Sequence, residues 1–340
     1  MLTNPLISII TPAYNHERYI VQCIQSVLDQ SYSNWEMLII NDGSTDKTSS
    51  IIHEFEAKDA RIKVFDRHHV GIYKLAETYN FALSRAEGDF IAILEGDDFW
   101  ISNKLELQIE AFNRNPESIL CWGKASSVID NNPEIYETHP KSEKKNGQYY
   151  FNEPVGSFFN IVFDDFPAPL TFLIRKEALI KAGSFIQILP FPAVDLPTIL
   201  ALSKTGRFHY IPSVLGSWRQ HANQVTKNNS IDLIAGSSMI IIEHYQSLSV
   251  EMKQHLKFDM NYILKTLKVR KLISYARSGR FKLIRKQFTE ARADYKKAIF
   301  TGSLFTAFSW KLRAFTGLIM SYFHMDVEGI AKLLGKKSYT

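Results

Sequence analysis

The chain has 340 residues, of which 45% are apolar and 22% are charged. These proportions are ordinary for a globular protein, and the length allows one large domain or a domain with an appendage. It contains two cysteines, Cys23 and Cys121, which excludes a disulfide framework or a cysteine-rich zinc site and predicts a reducing, cytoplasmic location. The first five residues lack a basic segment and a cleavage site, so we expect no signal peptide.

The charge is divided unevenly along the chain. Residues 228–340 carry 19 lysines and arginines against 8 acidic residues, whereas residues 1–227 carry 21 against 27. An acidic front and a basic back favour two functional zones. We therefore expect a first domain over 1–229 and a basic, all-helical C-terminal region over 230–340.

Strands and helices alternate over the first hundred residues. Short apolar runs predict strands at 6–10, 36–40, 62–65 and 90–94. Apolar residues at helical spacing predict helices at 20–28, at about 46–58 and at 73–86. This alternation predicts a Rossmann-like α/β fold, in which helices flank a mostly parallel sheet with right-handed crossovers.

Less regular elements follow. The pattern predicts, in order, a helix at 103–113, a strand at 119–129, a polar loop over 131–153, a strand at 170–174 and a helix at 196–204. Beyond residue 230 the pattern is purely helical, and residues 275–295 indicate one helix-turn-helix hairpin. No second copy occurs at that period, so we do not predict a repeat array.

Three polar segments directly follow predicted strands: Thr11–Asn15, Asp42–Asp46 and Glu95–Asp98. The carboxyl ends of parallel strands meet at one edge of a sheet, where α/β proteins bind their ligands. The last segment holds three carboxylates in four residues, and a divalent cation such as Mg²⁺ or Mn²⁺ would relieve their repulsion. A lone acidic triplet is more often a solvated turn, but the shared edge favours one ligand-binding cleft.

Together these segments resemble glycosyltransferase family 2. The resemblance rests on three segments in this order and spacing: Ile9–Asn15, Ile39–Asp46, and the apolar run Phe90–Leu94 followed by Glu95–Trp100. It covers residues 5–227. It implies a GT-A fold and an inverting, hexosyltransferase-type transfer from a nucleotide-diphosphate sugar, with a UDP-sugar as the expected donor. It does not reach the helical region after residue 230.

The resemblance assigns the nucleoside to Thr11, Tyr14 and Asp42. A tyrosine ring can stack on a base, and a carboxylate can accept a hydrogen bond from a base or from a ribose hydroxyl. Ordinary interpretations also exist, because Thr11 can simply end a strand and Asp42 can simply belong to a turn.

Asp97 matches the metal-binding carboxylate of the family's Asp-x-Asp motif, and Asp98 stands beside it, so the resemblance implies Mn²⁺ or Mg²⁺ as cofactor. Two positions depart from the family pattern. Glu95 replaces the first aspartate, and its longer side chain leaves contact with the ribose, or with the metal through water, open. Tyr79 stands where many relatives carry an arginine, which puts a phosphate contact at this position in doubt.

Inverting transfer needs a base that takes the proton of the acceptor hydroxyl. Asp195 precedes the helix predicted at 196–204, where backbone N–H groups favour a carboxylate. It also lies at the distance after the metal motif where the family carries its base, so the resemblance makes Asp195 the expected catalytic residue. The alternative is that Asp195 only caps the helix.

The segment Gly216–His221 resembles the closing motif of the family. Arg219 is expected to contact phosphate in the nucleotide-sugar site, and His221 is expected to bind the metal or the diphosphate. A structural histidine is an equally valid interpretation of His221, and Trp218 can simply belong to the core.

The region after residue 230 combines positive charge with apolar residues. Between Lys265 and Lys297 there are twelve lysines and arginines, and the stretches 298–310 and 314–325 are uncharged. Neither stretch reaches the ~20 residues needed to span a bilayer, but basic amphipathic helices fit an anionic membrane surface. The alternative is a solvated helical face packed on its own domain. No recognition motif supports binding of nucleic acid.

These observations lead to one main hypothesis for function. The chain is a metal-dependent glycosyltransferase, cytoplasmic or peripheral on the inner face of the cytoplasmic membrane, that transfers a sugar to a hydroxyl of a surface-polysaccharide or lipid-linked glycan. The alternative, motivated by Glu95 and Tyr79, is a catalytically silent nucleotide-sugar-binding partner in a polysaccharide-assembly complex. A sugar nucleotidyltransferase is disfavoured because no glycine-rich phosphate loop follows the first strand.

Overall fold

The computed structural model describes residues 4–130, 132–141, 147–221, 224 and 229–325. The chain divides into two compact units. The first unit comprises residues 1–221 and 247–257, and the second comprises residues 222–246 and 258–340. The domain boundary expected at 229–230 remains a prediction, because residues 222–223 and 225–228 beside it lie outside the described part.

Within the described residues, the first unit contains a nine-stranded sheet. Its strands are β1 (Ile7–Ala13), β2 (Trp35–Asn41), β3 (Ile62–Asp66), β4 (Phe90–Ile93), β5 (Phe99–Trp100), β6 (Ser118–Ile129), β7 (Asn132–His139), β8 (Leu173–Arg175) and β9 (Arg207–Gln220). The strand order is β3-β2-β1-β4-β8-β6-β9-β5, and β7 pairs with β6 outside this path.

The helices come in two groups. Those that begin in the first unit are α1 (Ile20–Leu28), α2 (Thr48–Glu56), α3 (Leu75–Arg85), α4 (Lys104–Arg114), α5 (Phe159–Asp164), α6 (Lys176–Lys181), α7 (Asp195–Ser203) and α9 (Val250–Gln254). Those that begin in the second unit are α8 (Ser230–Ser247), α10 (Met260–Ile284), α11 (Phe288–Phe300) and α12 (Phe308–Tyr322).

The first half of the sheet is parallel, and the second half is mixed. Strands β3, β2, β1 and β4 run parallel, and Ile7 of β1 lies opposite both Trp35 of β2 and Phe90 of β4. Strand β8 is antiparallel to β4 and to β6, whereas β6 and β9 are parallel. Helices flank this sheet, so the predicted α/β class is confirmed, and the carboxyl ends of β1, β2 and β4 lie at one edge.

The loop predicted over 131–153 is wrong for residues 132–139, which form β7 and pair antiparallel with β6. Asn132, Pro133, Glu134 and Glu137 give this strand the polar, proline-containing composition of a loop. Of the remaining predicted loop, residues 131 and 142–146 lie outside the described part. Strand β9 has no counterpart in the prediction, because Pro212 and Gly216 interrupt its apolar pattern and its pairing with β6 changes register at this point.

A buried carboxylate joins the four parallel strands at their amino ends. Glu36 of β2 accepts hydrogen bonds from the Ser8 hydroxyl of β1 (2.6 Å), from the Lys63 ammonium of β3 (2.8 Å) and from the Glu87 N–H before β4 (2.6 Å). The Gly88 N–H in turn donates to the Ser8 hydroxyl (2.8 Å). Burial raises the pKa of Glu36, but these donors outweigh burial and hold the pKa below its ordinary value.

Three helices of the second unit, α10, α11 and α12, pack around one aromatic ring. Tyr295 of α11 lies against Gly279 of α10 and Gly317 of α12, where an added Cβ would come within 2.8 Å and 2.3 Å of the ring. Beside it, Asp294 accepts from the Ser278 hydroxyl and the Lys282 ammonium, both at 2.6 Å. No helix among the described residues is long and apolar enough to cross a membrane.

We expect Glu36→Gln to lower the stability of the first unit by about 1–3 kcal/mol, because the neutral amide weakens charge-assisted bonds to three donors. Since the folded pKa of Glu36 is lowered, its contribution is present above the pKa of the unfolded chain and disappears as the pH falls through the folded pKa. Urea unfolding at several pH values measures both effects. Glu54→Gln, at an exposed position of α2, is the control; equal stability of the two variants at neutral pH would contradict the prediction.

Candidate functional site

The acidic segment Glu95–Asp98 forms a tight turn directly after β4. The Asp98 N–H donates to the Glu95 carbonyl (3.0 Å), and the Gly96 N–H donates to the Pro12 carbonyl at the end of β1 (3.1 Å). One carboxylate oxygen each of Glu95, Asp97 and Asp98 lies within 4.8 Å of the other two. Converging carboxylate oxygens are the donor set that Mg²⁺ and Mn²⁺ prefer, so these residues fit a divalent cation.

The three carboxyls differ in their affinity for protons. Burial raises the pKa of Asp97, but the neighbouring His16 and His221 outweigh burial and lower it. Burial and the Asp97 charge raise the pKa of Asp98 well above its ordinary value. Glu95 reaches solvent in part, yet the protein atoms crowded around its carboxyl and the Asp97 charge raise its pKa to about 7. The raised pKa values favour partial protonation of the turn's carboxyl groups near neutral pH, and a bound cation would favour their charged form instead.

Arg219, at the end of β9, is buried beside this turn and donates hydrogen bonds to protein oxygens. Its backbone N–H donates to Asp98 Oδ1 (2.8 Å), and its Nε donates to the Asp97 carbonyl (2.7 Å). The guanidinium also donates to the Asp130 carbonyl and to Gln22 Oε1 (2.5 Å). The residue is 2% exposed. These contacts direct its donors to protein oxygens, which favours a positioning role over the phosphate contact expected from the sequence.

His221 contacts the carboxylate that is expected to bind the metal. Its Nε2 lies 3.0 Å from Asp97 Oδ2, and its ring packs on Tyr19 with 4.9 Å between the ring centroids. The side chain is only 8% exposed. The structure thus brings the end of β9 to the acidic turn, and His221 can orient Asp97 or share a cation with it.

The segment after β1 is connected to the segment after β2 through backbone donors. The Thr45 N–H donates to the Asn15 side-chain oxygen (2.8 Å), and the His16 N–H donates to the Thr48 hydroxyl (2.8 Å). These bonds hold two of the three polar segments side by side. The strand ends therefore form one continuous edge, as the parallel topology predicts.

The three residues expected to hold the nucleoside lie along this edge. Thr11 is fully buried in β1, and within the described structure its hydroxyl has no hydrogen-bond partner. Tyr14 is 40% exposed, and its ring stacks on His69. Asp42 accepts from the backbone N–H groups of Val70 (3.0 Å) and Gly71 (3.3 Å), in the segment after β3. An exposed ring and a carboxylate thus stand next to each other.

Asp195 is the first residue of α7. The N-cap position belongs to Val194, which makes no side-chain cap bond, so Asp195 does not occupy the N-cap. Its Oδ1 accepts from the N–H of Leu196 (2.8 Å), and burial raises its pKa.

Helix α7 is linked to the acidic turn through the segment before it: the Thr198 hydroxyl accepts from the Ile186 N–H (2.9 Å). The neighbouring Phe185 ring packs on Tyr79, whose hydroxyl donates to Glu95. The Asp195 charge also raises the pKa values of Tyr79 and Glu95.

Two residues without an assigned role from sequence lie beside the acidic turn. The Tyr79 hydroxyl donates to Glu95 Oε1 (2.8 Å), so the two departures from the family pattern contact each other. The Nδ1 of His16 is buried without a hydrogen-bond partner among the described residues, and an added Cβ at Gly96 would lie 2.7 Å from it. The sequence indicated Tyr79 only as a departure from the family's arginine, and His16 only as a residue near the start of the helix predicted at 20–28.

Comparison with known proteins finds relatives for a large part of the first unit. Residues 8–170 match the family described as Glycosyl transferase family 2. TuaG of Bacillus subtilis, a glycosyltransferase assigned to teichuronic acid biosynthesis, is 46% identical over 107 residues, which are 31% of this chain and 41% of that protein. WfgD of Escherichia coli, a UDP-Glc:alpha-D-GlcNAc-diphosphoundecaprenol beta-1,3-glucosyltransferase, is 43% identical over 127 residues, which are 37% of this chain and 48% of that protein. The chain thus spans less than half the length of these curated relatives.

Solved structures share the fold over nearly the whole chain. TarS 1–349 of S. aureus, in complex with UDP-GlcNAc, has a TM-score of 0.58 at 19% identity and covers 98% of this chain and 93% of its own. The mannosyltransferase PcManGT of Pyrobaculum calidifontis, in complex with GDP-Man and Mn²⁺, has a TM-score of 0.54 at 15% identity and covers 98% and 88%. At such identities the likeness establishes the GT-A fold alone. The match to glycosyltransferase family 2 itself extends over residues 8–170, slightly less than half of the chain.

Proposed function

We propose that the chain is an inverting, metal-dependent glycosyltransferase that uses a nucleotide-diphosphate sugar, with a UDP-sugar as the first candidate. One observation carries the proposal: the Glu95–Asp98 carboxylates follow β4 at the same sheet edge as Tyr14 after β1 and Asp42 after β2. Asp195, at the start of α7, is the proposed base. The relatives support the donor class, since TarS is solved with UDP-GlcNAc and WfgD is named for UDP-Glc.

In the proposed reaction, the Asp195 carboxylate accepts the proton of the acceptor hydroxyl while the hydroxyl oxygen attacks the anomeric carbon. The new C–O bond forms on the face opposite the bond to the diphosphate, and the nucleoside diphosphate leaves with that bonding electron pair. Tyr14 and Asp42 hold the nucleoside, and Arg219 holds the acidic turn in position. A divalent cation bound by Asp97 and Asp98, with His221 beside it, would neutralise charge on the leaving diphosphate.

We further propose that the acceptor is a cell-envelope glycan, either lipid-linked or part of a surface polysaccharide. TuaG is named for teichuronic acid biosynthesis, and WfgD for a diphosphoundecaprenol-linked acceptor. Membrane attachment would bring the chain to such an acceptor. We assign this attachment to the exposed apolar face of α12, which consists of Phe308, Leu312, Phe315, Ile319 and Tyr322, each 42–55% exposed.

The sequence of α12 supports a surface role. Its opposite face, with Ala314 and Gly317, is buried in the second unit, so the exposed apolar side chains form a separate surface patch. Phe300 and Phe305, just before α12, are 81% and 83% exposed. Aromatic side chains next to a strongly basic region fit the interface of an anionic bilayer.

Asp195→Asn should abolish transfer while it leaves nucleotide binding intact, because the amide cannot accept the proton. We expect turnover to fall by ~10²–10⁴-fold, with an unchanged Kd for UDP. In the wild type, the acid limb of the pH profile should lie above the ordinary pKa of an aspartate, because burial raises the pKa of Asp195 and only the carboxylate form acts as base. Absence of turnover in the wild type with every nucleotide sugar tested would favour the silent-partner alternative.

Asp97→Asn should weaken Mn²⁺ binding by at least ~10-fold, because it removes one negative ligand from the acidic turn. Titration calorimetry with MnCl₂ measures the affinity, and chelation with EDTA should stop transfer until the metal is restored. Glu110→Gln, on the exposed face of α4, is the matched control. Full transfer activity after exhaustive chelation would refute metal dependence.

Leu312→Ser combined with Phe315→Ser should reduce sedimentation with phosphatidylglycerol vesicles by at least ~10-fold, because two apolar side chains are removed from the proposed contact face. Binding of the wild type should fall as salt rises and should be weak on phosphatidylcholine vesicles. The control combines Ile180→Ser and Val250→Ser, two exposed apolar positions in the first unit (52% and 75% exposed). Equal sedimentation of both double variants would rule out this face.

A further inference from the structure

His69 makes two contacts at the residues proposed to hold the nucleobase. Its imidazole stacks on the Tyr14 ring, with 4.1 Å between the centroids and 23° between the planes. Its Nδ1 lies 2.8 Å from Asp42 Oδ2 and 2.9 Å from the Asp42 carbonyl oxygen. Both oxygens can only accept a hydrogen bond, so Nδ1 carries the proton and donates it.

These contacts are the ones a nucleobase would make at this place. A flat heteroaromatic ring lies on the exposed tyrosine, and a ring N–H is donated to the aspartate. A pyrimidine or purine with a ring N–H offers the same ring face and the same donor. While His69 is there, a base therefore cannot occupy the face of Tyr14 that the imidazole covers together with the donor position at Asp42.

The backbone holds His69 in this place through the same aspartate. The carboxylate of Asp42 also accepts from the N–H groups of Val70 and Gly71, so the turn after β3 closes over it. Gly71 adopts a φ of 76°, which lets the chain turn back there. At Gly43 an added Cβ would lie 2.8 Å from the His69 backbone nitrogen, so the absence of a side chain at that position permits the close approach.

The His69 side chain can leave without disturbing the core. It is 44% exposed, whereas the Asp42 side chain beneath it is 11% exposed. Its stacking on an exposed tyrosine is a surface contact of modest strength. The site thus combines a buried acceptor that stays in place with a covering ring on the solvent side.

We propose that His69 occupies the nucleobase subsite of the ligand-free chain and leaves it when the nucleotide sugar binds, so that the chain closes its own donor site. This inference rests on the proposed function, because it takes Tyr14 and Asp42 as the base-binding residues. Donor binding then has to displace the imidazole, and the measured affinity is reduced by the fraction of chains in which the subsite is closed.

Titration calorimetry with UDP and with GDP on the full-length chain tests the proposal. If the subsite is closed in ~80–90% of ligand-free chains, His69→Ala should tighten binding of the preferred nucleotide by roughly five- to tenfold. His69→Phe, which keeps the stacked ring and loses the N–H donor, should tighten it less. Inorganic pyrophosphate, which has no base, should bind the wild type and His69→Ala equally. His68→Ala, at the exposed neighbouring histidine, is the control and should bind as the wild type does.

Weaker or unchanged nucleotide binding by His69→Ala would overturn the proposal, and weaker binding would make His69 a wall of the base site. This outcome leaves the proposed function intact, because the wild type still binds the nucleotide and loses affinity in Tyr14→Ala and Asp42→Asn. If neither UDP nor GDP binds any variant, the proposed function fails together with the inference. The two failures are therefore distinguishable.

Discussion

The concentration of negative charge at the end of β4 is the constraint around which the first unit is arranged. Three carboxylates within four residues directly follow a buried strand, and no helix N-terminus lies there to stabilise their charge. Other elements must therefore supply positive charge and hydrogen-bond donors to these carboxylates. Strand β9 does this, because its last residues deliver Arg219 to the backbone and His221 to a side chain of the turn. Strand β9 has 14 residues and shifts its register against β6, and its last part pairs with β5 directly after the acidic turn.

The sequence carried most of the information for the parallel half of the sheet and much less for the rest. Strands β1, β2 and β4 are largely apolar runs followed by polar segments, and this local pattern is sufficient to place Thr11, Asp42 and Asp97 at one edge. Strands β7 and β9 depend on pairing with β6, which a local pattern does not encode. The partners of Arg219 come from positions up to 197 residues away in the chain, so a local sequence pattern could not predict that its side chain is buried.

The contact between Tyr79 and Glu95 changes the meaning of the two departures from the family pattern. Considered one by one, each is a loss: a missing positive charge on α3 and a carboxylate that is one methylene too long. In the structure the longer carboxylate accepts from the phenol at 2.8 Å, so the two substitutions are one combined change. Two substitutions that compensate each other by pairing a buried hydroxyl are weaker evidence for a catalytically silent protein than two unrelated losses of functional residues would be.

The cleft edge also differs in rigidity from one end to the other, and this difference bears on how ligands bind. At the acidic turn, backbone bonds to β1 and the buried Arg219 fix the carboxylates before any ligand arrives. At the nucleoside end, the contacts of Tyr14 and His69 are made by exposed side chains, which rearrange at low cost. A cation can therefore enter a preformed set of ligands, whereas the base has to compete with a side chain. If a nucleotide sugar binds as proposed, its diphosphate end would meet residues that need no rearrangement, whereas its base end would meet a side chain that has to move.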